Sequence, residues 1–226
     1  MSVSIMRLRQ FILGLYHDLP NVLFVGSIVL GSIMGYLPLV WVSLGLVINA
    51  IAVAVLQGLF GIIFNPSGAL GSQIILGKGH PACEIVSAVP GAAGIGRDGV
   101  TVIAPSYWLS SAIFFSAFVI YNSVQVAMMP VAKGASQEKA DIRTAFTLTT
   151  AIIGAVFLLL VLLRGFSGCE SYLGGILSGA LGIGLAIGFW HLLNVCGAGM
   201  VPDVLQVVNS MAPPGEEERV PVVCSA

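Results

Sequence analysis

The chain has 226 residues, of which only 8% are charged and 57% hydrophobic, with a mean hydropathy of +1.01. A soluble domain of this length carries about 25% charged residues and could not cover its exterior with so few, so a water-soluble globule is excluded. The formal net charge of -1 and the absence of clustered Lys and Arg give no electrostatic basis for binding nucleic acid.

Met1 to Leu19 place apolar Ile5, Leu8, Phe11, Ile12 and Leu15 at a roughly helical period, with Arg7, Arg9, Gln10 and Asp18 elsewhere. This pattern predicts an N-terminal segment over 1–19 that lies in the membrane interface. Arg7 and Arg9 are far from Val22, and Tyr36-Leu37-Pro38 leads into more apolar sequence instead of a small-residue cleavage site, so the next segment is read as a span and not as a signal peptide.

From Leu19 to Gly77 no Asp, Glu, Lys or Arg occurs. About 20 apolar residues cross a bilayer core, so this run is long enough to cross twice, turning at Pro38. Further uncharged runs cover Gly99 to Ala132, Thr144 to Leu163 and Ser171 to Pro202. Five helices follow: Asn21 to Tyr36, Leu39 to Phe64, Tyr107 to Met129, Arg143 to Leu163 and Tyr172 to Val195. The fold class is therefore all-α, a polytopic integral membrane protein. Residues 20–64 form a helical hairpin around Pro38, which either spans or re-enters; 65–104 are a Gly-rich connection, 105–195 a three-helix region and 196–226 an extended tail. With five crossings the cations divide as Arg7, Arg9, Lys78, Arg97 and Arg164 against Lys133, Lys139, Arg143 and Arg219, which barely biases orientation. The N-terminus is assigned to the cytoplasmic-type side.

Small residues recur every fourth position: Ser27, Gly31 and Gly35 in the first helix, and Gly174, Ser178, Gly182 and Ala186 in the last, with Gly175/Gly179 and Gly184/Gly188 beside them. In lipid the hydrophobic effect does not drive helices together, so close approach over such rows is a main source of association. These rows are the expected packing faces. Asn49, Gln57, Asn122 and Gln125 lie inside spans and are expected to hydrogen-bond between helices; in the alternative reading, a channel or facilitator subunit, they face a shared polar path.

Chemistry-bearing motifs are sparse. Gly94-x-Gly96-x-x-Gly99 has the letters of the dinucleotide fingerprint but lies between Pro90 and Pro105, so a flexible or tightly turning loop is expected. His80, Cys83 and Glu84 lack a second ligand pair at metal spacing, and no metal, cofactor or catalytic set is assigned. Topology puts Cys83 and Cys169 on one side of the bilayer and Cys196 and Cys224 on the other. That is the one pairing that does not cross the membrane, and disulfides and free thiols both remain open. A redox role for these cysteines is the second alternative. His191, beside Trp190 and ahead of Asn194, is read as an interfacial anchor.

The tail holds Pro202, Pro213, Pro214 and Pro221, the acidic cluster Glu216, Glu217 and Glu218, and the apolar patches Val204 to Val208 and Val220 to Val223. It is too small to make a core of its own, and Val204, Val208, Glu216 to Glu218 and Val220 are the expected partner-binding residues.

Cys83-Glu84-Ile85-Val86-Ser87-Ala88-Val89-Pro90-Gly91, then Ala104-Pro105-Ser106-Tyr107-Trp108-Leu109, Phe114-Phe115 and Tyr121-Asn122, resembles the multi-spanning inner-membrane virion proteins of large icosahedral nucleocytoplasmic DNA viruses. The match covers Cys83 to Asn122. The resemblance implies a minor capsid-associated protein of the virion inner membrane, linking lipid to the protein shell, with capsid or other virion proteins as partners of the loop and tail and with no enzymatic residue. Independently of it, Pro105 suits the first turn of a helix, Ser106 can satisfy free backbone donors, and Tyr107 and Trp108 suit the headgroup layer.

Overall fold

The computed structural model describes residues 7, 11, 14–35, 37–63, 76–77, 96–97, 100–102, 104–130, 136–162 and 172–196. Five long helices carry the architecture: α1 Leu19–Met34, α2 Leu37–Ile63, α3 Tyr107–Met128, α4 Gln137–Leu162 and α5 Tyr172–Cys196. The last four are long and apolar enough to cross a membrane. The chain is an all-α polytopic integral membrane protein.

Local chemistry explains where the helices begin and end. Gly35 adopts the left-handed conformation (φ 69°, ψ 21°) and its N–H returns to the Gly31 carbonyl, which stops α1. Pro38 then sits in the first turn of α2, where its missing N–H is no loss. Gly35 is thus an exposed helix stop, which corrects its expected place in a packing row; Ser27 and Gly31 of that row are buried. Ser106 caps α3, its hydroxyl accepting the Leu109 N–H at 3.4 Å. Pro105 therefore precedes the cap and lies outside the first turn. At α4, Ser136 Oγ accepts from the Lys139 N–H, so the helix begins at Gln137, six residues ahead of the expected Arg143.

The helices alternate in direction. Leu19 at the start of α1 and Val161 near the end of α4 pack with Trp108 and Leu109 at the start of α3. At that same end Gln57, late in α2, bonds to Pro105, and Ser178, early in α5, bonds to Ser106. At the opposite end, Leu39 and Trp41 early in α2 join Phe118 and Tyr121 of α3 and Leu193 of α5. The ends of α2 and α4 and the starts of α1, α3 and α5 thus lie at one end of the bundle, and the end of α5 at the other.

Central position follows from solvation. Comparing the most apolar 18 residues of each of the four long spans, those of α3 are the least apolar and 50% buried, whereas those of α4 are much more apolar and 17% buried. Hydrocarbon penalises exposed polar groups, so the helix carrying Ser110, Ser111, Ser116, Asn122 and Ser123 must be shielded by the others. Accordingly α1, α2, α4 and α5 all pack on α3, while Ile152, Ile153, Val156, Leu159 and Leu160 of α4 stay exposed to lipid. The hydroxyls of Thr144, Thr147, Thr149 and Thr150 on α4 donate back to carbonyls of their own helix, which removes their need for outside partners.

Within the 65–104 connection, three short strands, β1 Leu76–Gly77, β2 Gly96–Arg97 and β3 Val100–Val102, form an antiparallel sheet in the order β1-β3-β2. Arg97 pairs with Val100, which leaves only Asp98-Gly99 between β2 and β3. Asp-Gly is the pair that two-residue hairpins favour. Gly96 and Arg97 thus pair antiparallel with β3, which agrees with the reading of this segment as tightly turning.

Candidate functional site

The membrane region is organised by a seam of buried polar contacts between α3 and its neighbours. At the N-terminal end of α3, the fully buried Asn49 of α2 uses both ends of its carboxamide: Ser110 Oγ donates to Oδ1 at 2.8 Å, and Nδ2 donates to Ser111 Oγ at 3.1 Å. Gln57 lies about two helical turns further along the same helix, and its Nε2 donates to the Pro105 carbonyl at 2.8 Å. From α5, Ser178 Oγ accepts the Ser106 N–H at 2.8 Å and donates to the Gly174 carbonyl at 2.7 Å. One free α3 backbone donor, one proline carbonyl and two α3 hydroxyls are thus matched by side chains of α2 and α5.

The row on α5 runs along α3. Gly174, Ser178, Gly182 and Ala186 are all buried. A Cβ at Gly182 would stand 2.7 Å from the Ser110 carbonyl oxygen and 3.0 Å from the Phe114 nitrogen, so the two backbones touch there. Gly175 and Gly179 lie 3.9 Å, measured from an added Cβ, from Leu109 and Ile113, whereas Gly184 and Gly188 have no such neighbour within 4 Å.

The C-terminal half of α3 carries a second group. Asn122 Oδ1 accepts from Trp190 Nε1 at 3.2 Å, and the Tyr121 hydroxyl lies 3.0 Å from His191 Nε2. The Tyr121, Trp190 and His191 rings meet edge to face at 5.1 to 5.8 Å. His191 is exposed, yet it is hydrogen-bonded to α3 as well as placed near the helix end. Phe114, Phe118 and Phe189, with ring centroids 6.2 to 6.3 Å apart, pack in the core between the two groups along α3. Asn49 and Gln57 therefore belong to one cluster and Asn122 to another, with aromatic packing between them.

Arg143 is the charged member of the interior. It is 2% exposed, and its Nη2 donates to the carbonyls of Val126 and Met129, each at 2.6 Å, at the end of α3. A cation at a helix C-terminus faces the negative end of the helix dipole. In the sequence Arg143 shows only as a helix boundary and an orientation marker. Ser110 and Ser111 are not singled out there either, although two adjacent serines in a span are the signal that this helix belongs inside. Tyr107 and Trp108 are core residues, at 7% and 1% exposure, and not headgroup anchors; the Trp108 indole donates to the Tyr16 and His17 carbonyls at 3.0 and 3.1 Å.

Among the described residues, no group of three or more His, Cys, Asp or Glu could hold a metal. His80, Cys83, Glu84, Cys169 and Cys224 lie outside the described residues, as do Val204, Val208, Glu216, Glu217, Glu218 and Val220 of the tail. Cys196 ends α5, and its side chain is likewise outside them. Asn49 and Gln57 of α2, Asn122 of α3 and Ser178 of α5 bond across to neighbouring segments, the arrangement of a multi-pass membrane bundle with a polar interior and an apolar outer surface. The chain matches no family model, and no curated protein and no solved structure matches it.

The seam makes a measurable contribution. Interhelical hydrogen bonds in membranes average about 0.6 kcal/mol and reach about 1.7. Asn49→Leu removes two and is expected to lower stability in detergent by roughly 1–2 kcal/mol, whereas Asn122→Leu, which loses one, costs about half that. Thermal or steric-trap unfolding of the two variants checks the order.

Proposed function

We propose that this chain is a structural membrane-anchoring protein, a minor capsid protein that links an internal virion membrane to the surrounding protein shell. The observation that supports the anchoring role is the engagement of Asn49, whose carboxamide is bonded at both ends to α3. A polar group fixed in this way joins helices and gives the bundle one packed arrangement, as a scaffold requires. The viral assignment is supported by the resemblance over Cys83 to Asn122. In this reading the bundle holds the lipid, while the 65–104 connection and the 196–226 tail engage capsid or other virion proteins, and no step of catalysis is involved.

Mild-detergent extraction of the native particle tests the proposal. The expected result is recovery of the chain with capsid protein at a fixed ratio, and loss of that association when residues 204–226 are deleted. Recovery of the intact chain alone in micelles, with no capsid protein at any detergent concentration that preserves the shell, would overturn it.

A further inference from the structure

We infer that the first membrane helix is hinged at Pro20 and that the Trp108 indole is the latch that holds the hinge. Counted from Leu19, α1 has 16 residues, about 24 Å at 1.5 Å per residue, too short for a hydrocarbon core of about 30 Å. The helix nevertheless continues backward. Residues 14–17 are helical, and although Asp18 itself departs from helical geometry (φ -92°, ψ 16°), its N–H bonds to the Gly14 carbonyl at 3.0 Å and its carbonyl accepts the Val22 N–H at 2.9 Å, so two four-residue bonds span the break. Gly14 to Met34 reaches about 31 Å. That length suffices for a full crossing.

The weak point of this longer helix is Pro20, which is buried and has no N–H for the carbonyl four residues back, that of Tyr16. Proline gives the carbonyl four residues back no intrahelical donor, and kinks at proline persist where a neighbour supplies the missing bond. Trp108 Nε1 donates to that Tyr16 carbonyl at 3.0 Å and to the adjoining His17 carbonyl at 3.1 Å. The Tyr16 ring packs on the indole with centroids 5.1 Å apart. Trp108, in the first turn of the central helix, thus takes the place of the proline's absent amide. It fixes the turn over 14–18, with Leu15 41% exposed, against the start of α3.

The experiment is amide hydrogen exchange on the full chain in nanodiscs, comparing the unaltered protein with Trp108→Phe, Pro20→Ala and the double variant. Trp108→Phe is expected to speed exchange at Asp18 and Val22, whose bonds bridge the kink, by about tenfold, with exchange over 186–193 of α5 unchanged. Adding Pro20→Ala restores protection, because residue 20 then offers its own N–H to the Tyr16 carbonyl. A merely space-filling Trp108 would give no such rescue, so equal exchange in the single and double variants overturns the inference, as does unchanged exchange in Trp108→Phe. If Trp108→Phe yields no folded protein, recovery of folded double variant supports the latch and failure to recover it refutes it.

Discussion

Gly182→Leu is expected to abolish the folded bundle, and Gly182→Ala to destabilise it by about 1–3 kcal/mol, the usual scale for overpacking a close-packed interior. The reason lies in what the added carbon would meet. A Cβ at this position would come within 2.7 Å of the Ser110 carbonyl oxygen, 3.0 Å of the Phe114 amide nitrogen and 3.1 Å of Ile113 Cγ2. Two of these three atoms belong to the α3 backbone, which cannot swing aside as a side chain can. Relief requires α3 and α5 to separate, and that separation draws Ser178 away from Ser106 and Ala186 from the aromatic core. Gly184→Ala is the control. Nothing lies within 4 Å of its added carbon, and alanine favours a helix over glycine by about 1 kcal/mol, so this variant should be neutral or slightly more stable. Unfolding in detergent should therefore separate two glycines only two positions apart. Equal effects would mean that α5 does not face α3 as described.

Arg143→Leu is the second large effect, expected to cost about 2–3 kcal/mol, the range for buried hydrogen bonds donated by a charged group. The guanidinium closes the end of α3, where the Val126 and Met129 carbonyls both receive the Nη2 protons, and it does so from α4, which joins the bundle chiefly through α3. Leucine would leave both carbonyls without that donor at the negative end of the helix dipole. Arg143→Lys should fall between, since an ammonium keeps the charge but reaches less far and lacks the planar fork. Further along α4, an added Cβ at Gly154 would stand 2.9 Å from Ile120, and Val161 packs with Trp108 and Leu109. Loss of Arg143 should therefore loosen the start of α4 first. Limited proteolysis in micelles reads this as earlier cleavage near residue 137 in Arg143→Leu than in Arg143→Lys, and a wild-type pattern in both would show that the cap carries little.

Several elements of the fold are legible in the sequence because each has a local cause. The second span, expected from Leu39 and found from Leu37, follows from apolar length, and the helix break just ahead of Pro38 from a missing amide proton. The Gly174, Ser178, Gly182 and Ala186 row is visible as spacing, and Ser106 as a helix cap. Other features depend on partners remote in sequence. That Trp108 is buried against Tyr16 and His17 cannot be read from Pro-Ser-Tyr-Trp, because the same residues at a helix start equally suit a headgroup layer. Ser136 is recognisable as a cap ahead of the polar turn 137–142, but the change from charged to apolar residues hides a helix that begins outside the hydrocarbon. Ser27, Gly31 and Gly35 look equivalent in spacing, and only the left-handed φ at Gly35 separates the stop from the packing positions.

The sequence by itself determined the solvent: so few ionised groups, in runs of this length, require hydrocarbon around the helices, since desolvating a charge there is prohibitive and desolvating a methylene is favourable. Tertiary structure alone decided which helix is central and where each buried amide finds its partner. Polarity identifies a helix that needs shelter, but the partners come from far along the chain, 72 positions away between Ser106 and Ser178 and 92 between Tyr16 and Trp108. Such pairings arise only when the helices are laid side by side.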